Sequence, residues 1–171
     1  GAASWRECPE VPRLRDQHHW MLPYSPRAGC VRGFAFHGER AYAAVEVGGA
    51  LVSNDRGKTW RLADGSDGKP DLSGPPEPFI YPDVHSLSAH PSSPDLVFAH
   101  TSGQLYSWFM NDRRLVGEGM LSPANLPSGW VVATINDFTG DGQSVLLLQE
   151  STTGQVNLWI MNGLAQTAVL P

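Results

Sequence analysis

The sequence predicts an all-β fold assembled from repeated four-stranded units, and three observations carry that prediction. Short apolar runs bounded by Gly, Pro, Asn and Asp recur along the chain, and no long stretch follows the 3.6-residue period of a helix. Turn formers are abundant, with 18 Gly and 14 Pro in 171 residues. The chain also repeats itself: residues 32–37 line up with 85–90, a shift of 53, and residues 102–111 with 153–162, a shift of 51. Periods of that size mark stacked supersecondary units.

The bulk numbers narrow the function classes. With 12 Lys and Arg against 17 Asp and Glu, the net charge is −5. No basic run offers a nucleic-acid surface, and no apolar run approaches the ~18 residues of a membrane span. Cys8 and Cys30 are spaced to close a loop in an exported protein; two separate buried thiols are the alternative. Gly1 to Ser4 read as a remnant of expression, and no signal peptide is visible.

Residues 1–30 read as an irregular N-terminal segment, rich in Pro, Arg and Trp, laid over the domain as a loop or a single strand. Its His18-His19-Trp20 holds the chain's one adjacent His pair but lacks further metal ligands at suitable spacing. Regular structure is expected from Val31. Residues 31–37 alternate as a strand, 40–47 form a second, Gly48-Gly49 turn the chain, and 50–53 and 60–63 flank a polar turn. Those four strands, within 31–63, make the first unit.

Residues 64–82 are a Gly, Asp, Pro and Ser loop ending in Pro78-Phe79-Ile80-Tyr81-Pro82. A loop of that length is either an inter-unit connection or a functional element. Phe79 and Tyr81 are candidate sugar-stacking aromatics, or anchors of their own loop. Asp83 and His85, at the start of the next strand, complete the candidate ligand site. The second unit spans about 83–120 and the third about 130–171. His37 and His90 occupy matched repeat positions, which points to a structural task such as bonding the next turn.

The polar turn at 53–60 reads Ser-Asn-Asp-Arg-Gly-Lys-Thr-Trp. Short oxygen-bearing side chains can bond the turn's amides, Gly57 can take positive φ, and the Trp can fold back as a plug. Through Ser53, Asp55, Gly57, Thr59 and Trp60 the stretch resembles the Asp-box (BNR) repeat, covering residues 31–100. That resemblance implies a structural turn between the outer strands of a β-propeller blade. The family includes sialidases, other glycoside hydrolases, sorting receptors and assembly factors, so it informs fold more than activity.

Residues 136–144 read Asn-Asp-Phe-Thr-Gly-Asp-Gly-Gln-Ser, and Gly154, Trp159, Met161, Asn162 and Gly163 follow. Residues 101–171 thereby resemble a VCBS/FG-GAP propeller repeat. The resemblance implies a calcium loop, with Asp137, Thr139, Asp141 and the Gln143 carbonyl as ligands. Val145 stands where the family has an Asp, so weak calcium binding or an empty loop held by Asp137 and Asp141 is expected. No cofactor is required. The two resemblances meet near residues 100–107, which gives the chain the look of a natural or constructed chimera.

The expected architecture is therefore about three four-stranded β-propeller blades. Closed propellers typically need four to eight blades, so the ring is expected to be completed by a second copy, with an open array capped by residues 1–30, or a piece of a larger propeller, as alternatives. No Gly-x-Ser-x-Gly elbow, phosphate loop or His-Glu-x-x-His occurs, and no catalytic residue is assigned. A non-enzymatic, self-assembling module is expected, with a glycan or protein ligand at the channel or between blades. The alternatives are a fragment of an Asp-box glycoside hydrolase, with Glu46, Asp83 and Glu118 as carboxylates, and a chimera without evolved activity. Arg32, Arg40 and Tyr42 would suit a sialidase site but read as packing or surface residues. The resemblances favour an extracellular or periplasmic setting.

Overall fold

The structure is a computed structural model that describes residues 4–20, 31–66, 80, 84–90, 93–100 and 104–171. It is mostly β. The first sheet comprises β1 (Val31–His37), β2 (Arg40–Val45), β3 (Gly49–Ser53) and β4 (Arg61–Leu62), in that order. Two further meanders follow: β5 (Ser86–His90), β6 (Ser93–His100), β7 (Gln104–Asn111) and β8 (Arg114–Asn125), then β9 (Trp130–Asn136), β10 (Val145–Glu150), β11 (Val156–Asn162) and β12 (Ala165–Leu170). All neighbours within each set of four are antiparallel.

A single parallel pairing, Ala165 with Ser122, joins β12 to β8 and makes one eight-stranded sheet of the last two sets. The Ser122 amide donates to the Leu164 carbonyl at 2.8 Å across that seam. The edge strands β5 and β9 also touch, so the sheet curls almost into a flattened barrel. Its filling is apolar: Phe98, Leu105 and Leu121 from one half meet Leu146, Leu148, Trp159 and Met161 from the other. The four-stranded sheet packs on the outside of β5–β8, burying Tyr42 and Val52 against Leu87, Val97, Trp108 and Met110.

The internal repeat has a physical meaning in these layers. Trp108 pairs with Val97 and Trp159 with Leu146, at the same register of equivalent hairpins. Trp108 and Met110 face the sheet before theirs, and Trp159 and Met161 do the same one layer on. A period-2 strand that swaps register by one residue would turn these side chains to the wrong face, so the recurrence of Trp-x-Met fixes the packing order.

The N-terminal segment departs from the irregular loop or strand expected of it. Residues 10–18 form α1 (Glu10–His18). Pro9 and Pro12 fall among the first positions, where a helix has no use for an amide donor. Glu10 in the first turn and Arg15 and His18 in the last suit the helix dipole. His19 ends the helix at φ 55°. A helix this short is marginal alone; it is held because Val11 and Leu14 pack on the outer face of the first sheet. The expected strand at 60–63 is shorter, with only Arg61 and Leu62 paired, and Val47 leaves β2 at φ 66°.

Candidate functional site

The turn between β3 and β4 is built by its own side chains. Ser53 Oγ accepts the Gly57 and Asp55 amides at 2.8 and 3.3 Å and donates to Asp55 Oδ1 at 2.8 Å. Thr59 donates twice to Asp55, its amide to Oδ1 at 2.9 Å and its hydroxyl to Oδ2 at 2.7 Å. Those donors, with the Thr59 amide first, hold the Asp55 carboxyl down at about 2. Gly57 sits at φ +78°, and a Cβ there would lie 3.2 Å from the Trp60 ring. The Trp60 indole N–H donates to the Gly57 carbonyl at 3.1 Å while the ring is buried on the first sheet. All five positions singled out in the sequence thus act in one turn.

The N-terminal segment grips that turn. Glu10 Oε1 accepts the Trp60 amide at 2.9 Å, and Arg6 donates to the Lys58 carbonyl at 2.8 Å. Cys8 is a free thiol that points at the Gly57 carbonyl, 3.9 Å away. Cys30, the other half of the disulfide considered for Cys8, lies outside the described residues. Between α1 and the sheet lies an open cavity of about 370 Å³. Trp20, Trp60, Phe34, Val45 and Leu51 form its apolar walls.

The loop after β9 is held in the same manner. Asp137 Oδ1 accepts the amides of Thr139, Gly140 and Asp141 and the Thr139 hydroxyl, and Oδ2 accepts the Gly142 amide at 2.8 Å. Led by the Gly142 amide, these bonds lower the Asp137 pKa. Asp141 Oδ1 shares the single Thr139 hydroxyl proton with Asp137, at the shorter distance of 2.8 Å, and accepts the Gln143 amide. As donors to a cation the set fits poorly: both Asp137 oxygens are engaged by the loop itself, and Val145, at the ninth position, is fully buried. Among the described residues no group of three or more His, Cys, Asp and Glu is placed to hold a metal, the His18-His19 pair included.

The remaining candidates are scattered. Phe79, Tyr81 and Asp83 lie outside the described residues. His85 is half-buried just before β5. Glu46 pairs with Arg32 at 2.8 Å, and Glu118 is exposed on β8. Tyr42 is buried between the sheets and accepts a bond from Arg40, which also donates to the Asp112 carbonyl at 2.8 Å. His37 Nδ1 lies 3.1 Å from the His90 carbonyl, so the matched histidines link one layer to the next. Burial, and then the neighbouring His37, depress the His90 pKa.

The sequence reading missed the cavity. Its walls come from residues far apart in the chain, and Trp20 was noticed only for its His neighbours. No protein-family model matches the chain, and no curated protein matches it. Among solved structures, the crystal structure of the computationally designed Ika4 protein aligns over 80% of this chain and 94% of its own. The identity is 11% and the TM-score 0.30, a likeness too slight to bear on fold or function.

Proposed function

We propose that the chain is a non-enzymatic module of three propeller-type blades that self-associates through the outer face of β9–β12. The observation that carries this is the make-up of that face. By register, Leu147, Val156, Leu158, Ile160, Val131 and Leu170 share one side of the sheet with the polar, uncharged Thr134, Asn136 and Gln149, and no charged strand residue joins them. Val131, Val156 and Leu170 are exposed, and Leu147, Leu158 and Ile160 half-buried. A largely apolar, uncharged face of this kind is suited to an interaction surface. The equivalent side of β5–β8, with Phe98 and Leu105, is the one covered by the next layer.

The opposite end of the stack is already occupied by residues 4–20, so a second copy meeting the open end through the same face is the simplest arrangement, a two-fold dimer. Four strands ~4.8 Å apart and six residues long at ~3.4 Å each give roughly 400 Å² per copy. Doubled over both copies, that is about 800 Å², below the ~1,000 Å² that a stable interface clears, and it implies a weak, concentration-dependent dimer. The blade reading is supported by the succession of β1, β5 and β9 as neighbouring first strands, and the Asp-box reading by the side-chain bonds of the 53–60 turn. The Asp137 loop is read as self-closed, with calcium at most a weak ligand.

A second reading rests on Phe34 and Phe36, which are 53% and 62% exposed on β1 beside the cap. They would seat the open face of another copy head to tail and close a ring. Leu158→Lys tests both arrangements by sedimentation velocity and should make the chain monomeric. Phe36→Lys should disrupt only the ring. Dimerisation untouched by Leu158→Lys would refute the proposed face.

A further inference from the structure

We propose that α1 is a displaceable cap, and that its release bares a face of the first sheet that receives the β9–β12 face of a second copy. This rests on the reading of β9–β12 as the self-association face and adds what restrains it. The partner follows from the way the sheets already stack. Three cross-strand pairs hold the same place in successive sheets: Phe36 with Ala41, Ala89 with Val97, and Ile135 with Leu146. Ala89 and Val97 pack against the first sheet, and Ile135 and Leu146 against the second. On the first sheet, α1 stands where a preceding sheet would. Ala41 is buried there, but Phe36 and its neighbour Phe34 remain exposed. Arg32, beside them on β1, is already paired with Glu46 at 2.8 Å, so no unpaired charge of β1 opposes an apolar partner. The β9–β12 face of another copy is largely apolar and uncharged, and meets these rings head to tail.

The cap is loosely held. No residue of α1 is buried. Val11 and Leu14 are its half-buried anchors, and the open cavity of about 370 Å³ lies between it and the sheet. By contrast, the joints between sheets bury Val97, Trp108, Leu146 and Leu148 almost completely. The polar clamps, Glu10 to the Trp60 amide and Arg6 to the Lys58 carbonyl, are bonds that water can replace at small net cost. A nine-residue helix is marginal once undocked, so release and melting go together.

Val11→Asp combined with Leu14→Asp removes both anchors without touching a strand. In sedimentation velocity this chain should associate about tenfold more tightly than the unmodified one, as expected from covering one half-exposed Phe. Adding Phe36→Lys should cancel the gain, and adding Leu158→Lys should make the chain monomeric. Arg6→Ala combined with Glu10→Ala, which spares the apolar packing, should also tighten association. In the unmodified chain, the amides of residues 10–18 should exchange hydrogen much faster than those of residues 41–45. Equal protection of the two segments, or a tightened association that survives Phe36→Lys, would overturn the proposal. Equal affinity of the capped and released chains would overturn it as well; if Leu158→Lys still dissociates the unmodified dimer, the β9–β12 reading survives that result. A dimer indifferent to Leu158→Lys would overturn both. The exchange measurement needs no variant, so a poorly folded double-Asp chain would not spare the proposal.

Discussion

Replacing Trp60 by Ala tests the link between the 53–60 turn and the packing it serves. Trp60 is 8% exposed, its ring centroid lies 5.9 Å from that of Phe34, and its N–H closes the turn on Gly57. Removing a large buried aromatic costs about 3–5 kcal/mol. Here the low end is expected, because the ring already borders an open cavity and leaves fewer neighbours behind. For a chain of this size ~3 kcal/mol corresponds to a fall of roughly 6–12 °C in melting temperature. Urea titration followed by far-ultraviolet circular dichroism gives the free energy directly. Trp60→Phe should cost only about 1 kcal/mol, the net worth of the lost hydrogen bond plus minor repacking. A loss under ~1 kcal/mol for Trp60→Ala would mean that the ring does not plug the turn onto the sheet, and the reasoning would fail.

Gly57→Ala should destabilise by about 1–2 kcal/mol, since it forces a side chain to φ +78° and against the Trp60 ring; chemical denaturation checks it. Acid should weaken the fold in two windows. His90 has a folded pKa below its ordinary 6.5, so the unfolded chain takes the proton first and stability declines as pH falls below that value. Asp55 is held at about 2 against 3.8, so its contribution is complete above 3.8 and is lost as pH falls through about 2. Denaturation midpoints at stepped pH should show both declines, with His90→Gln removing the upper one and Asp55→Asn the lower. Millimolar calcium should shift the melting temperature by no more than about 2 °C, because Asp137 is already saturated by loop donors; a larger rise, abolished by Asp141→Ala, would show that the loop takes the ion.

The strands were legible because their pattern is local. Alternation in residues 31–37 and the apolar run of 145–148 each specify a strand without outside help, and the repeat of Trp-x-Met at 108–110 and 159–161 specifies which face packs. The 53–60 turn was legible for the same reason, since the hydrogen bonds among its own side chains and amides join residues at most four apart. The helix at 10–18 was not. Only Val11 and Leu14 keep its apolar side, and its stability comes from the sheet beneath. The cavity was invisible because Trp20, Phe34 and Trp60 meet only after α1 docks. The uncharged face of β9–β12 could have been found: aligning residues 145–148 with 156–160 at strand register places their alternate apolar side chains on a second side, one more than a single buried interface requires.

Absolute mass by light scattering after gel filtration, measured across a dilution series, bears most directly on the claim that the stack has one open end. The account predicts a mass approaching twice the 18.6 kDa of the chain at high-micromolar concentration, falling toward the single-chain value on dilution. A mass of 18.6 kDa at every concentration would contradict it, and would mean that the apolar face of β9–β12 stays in water.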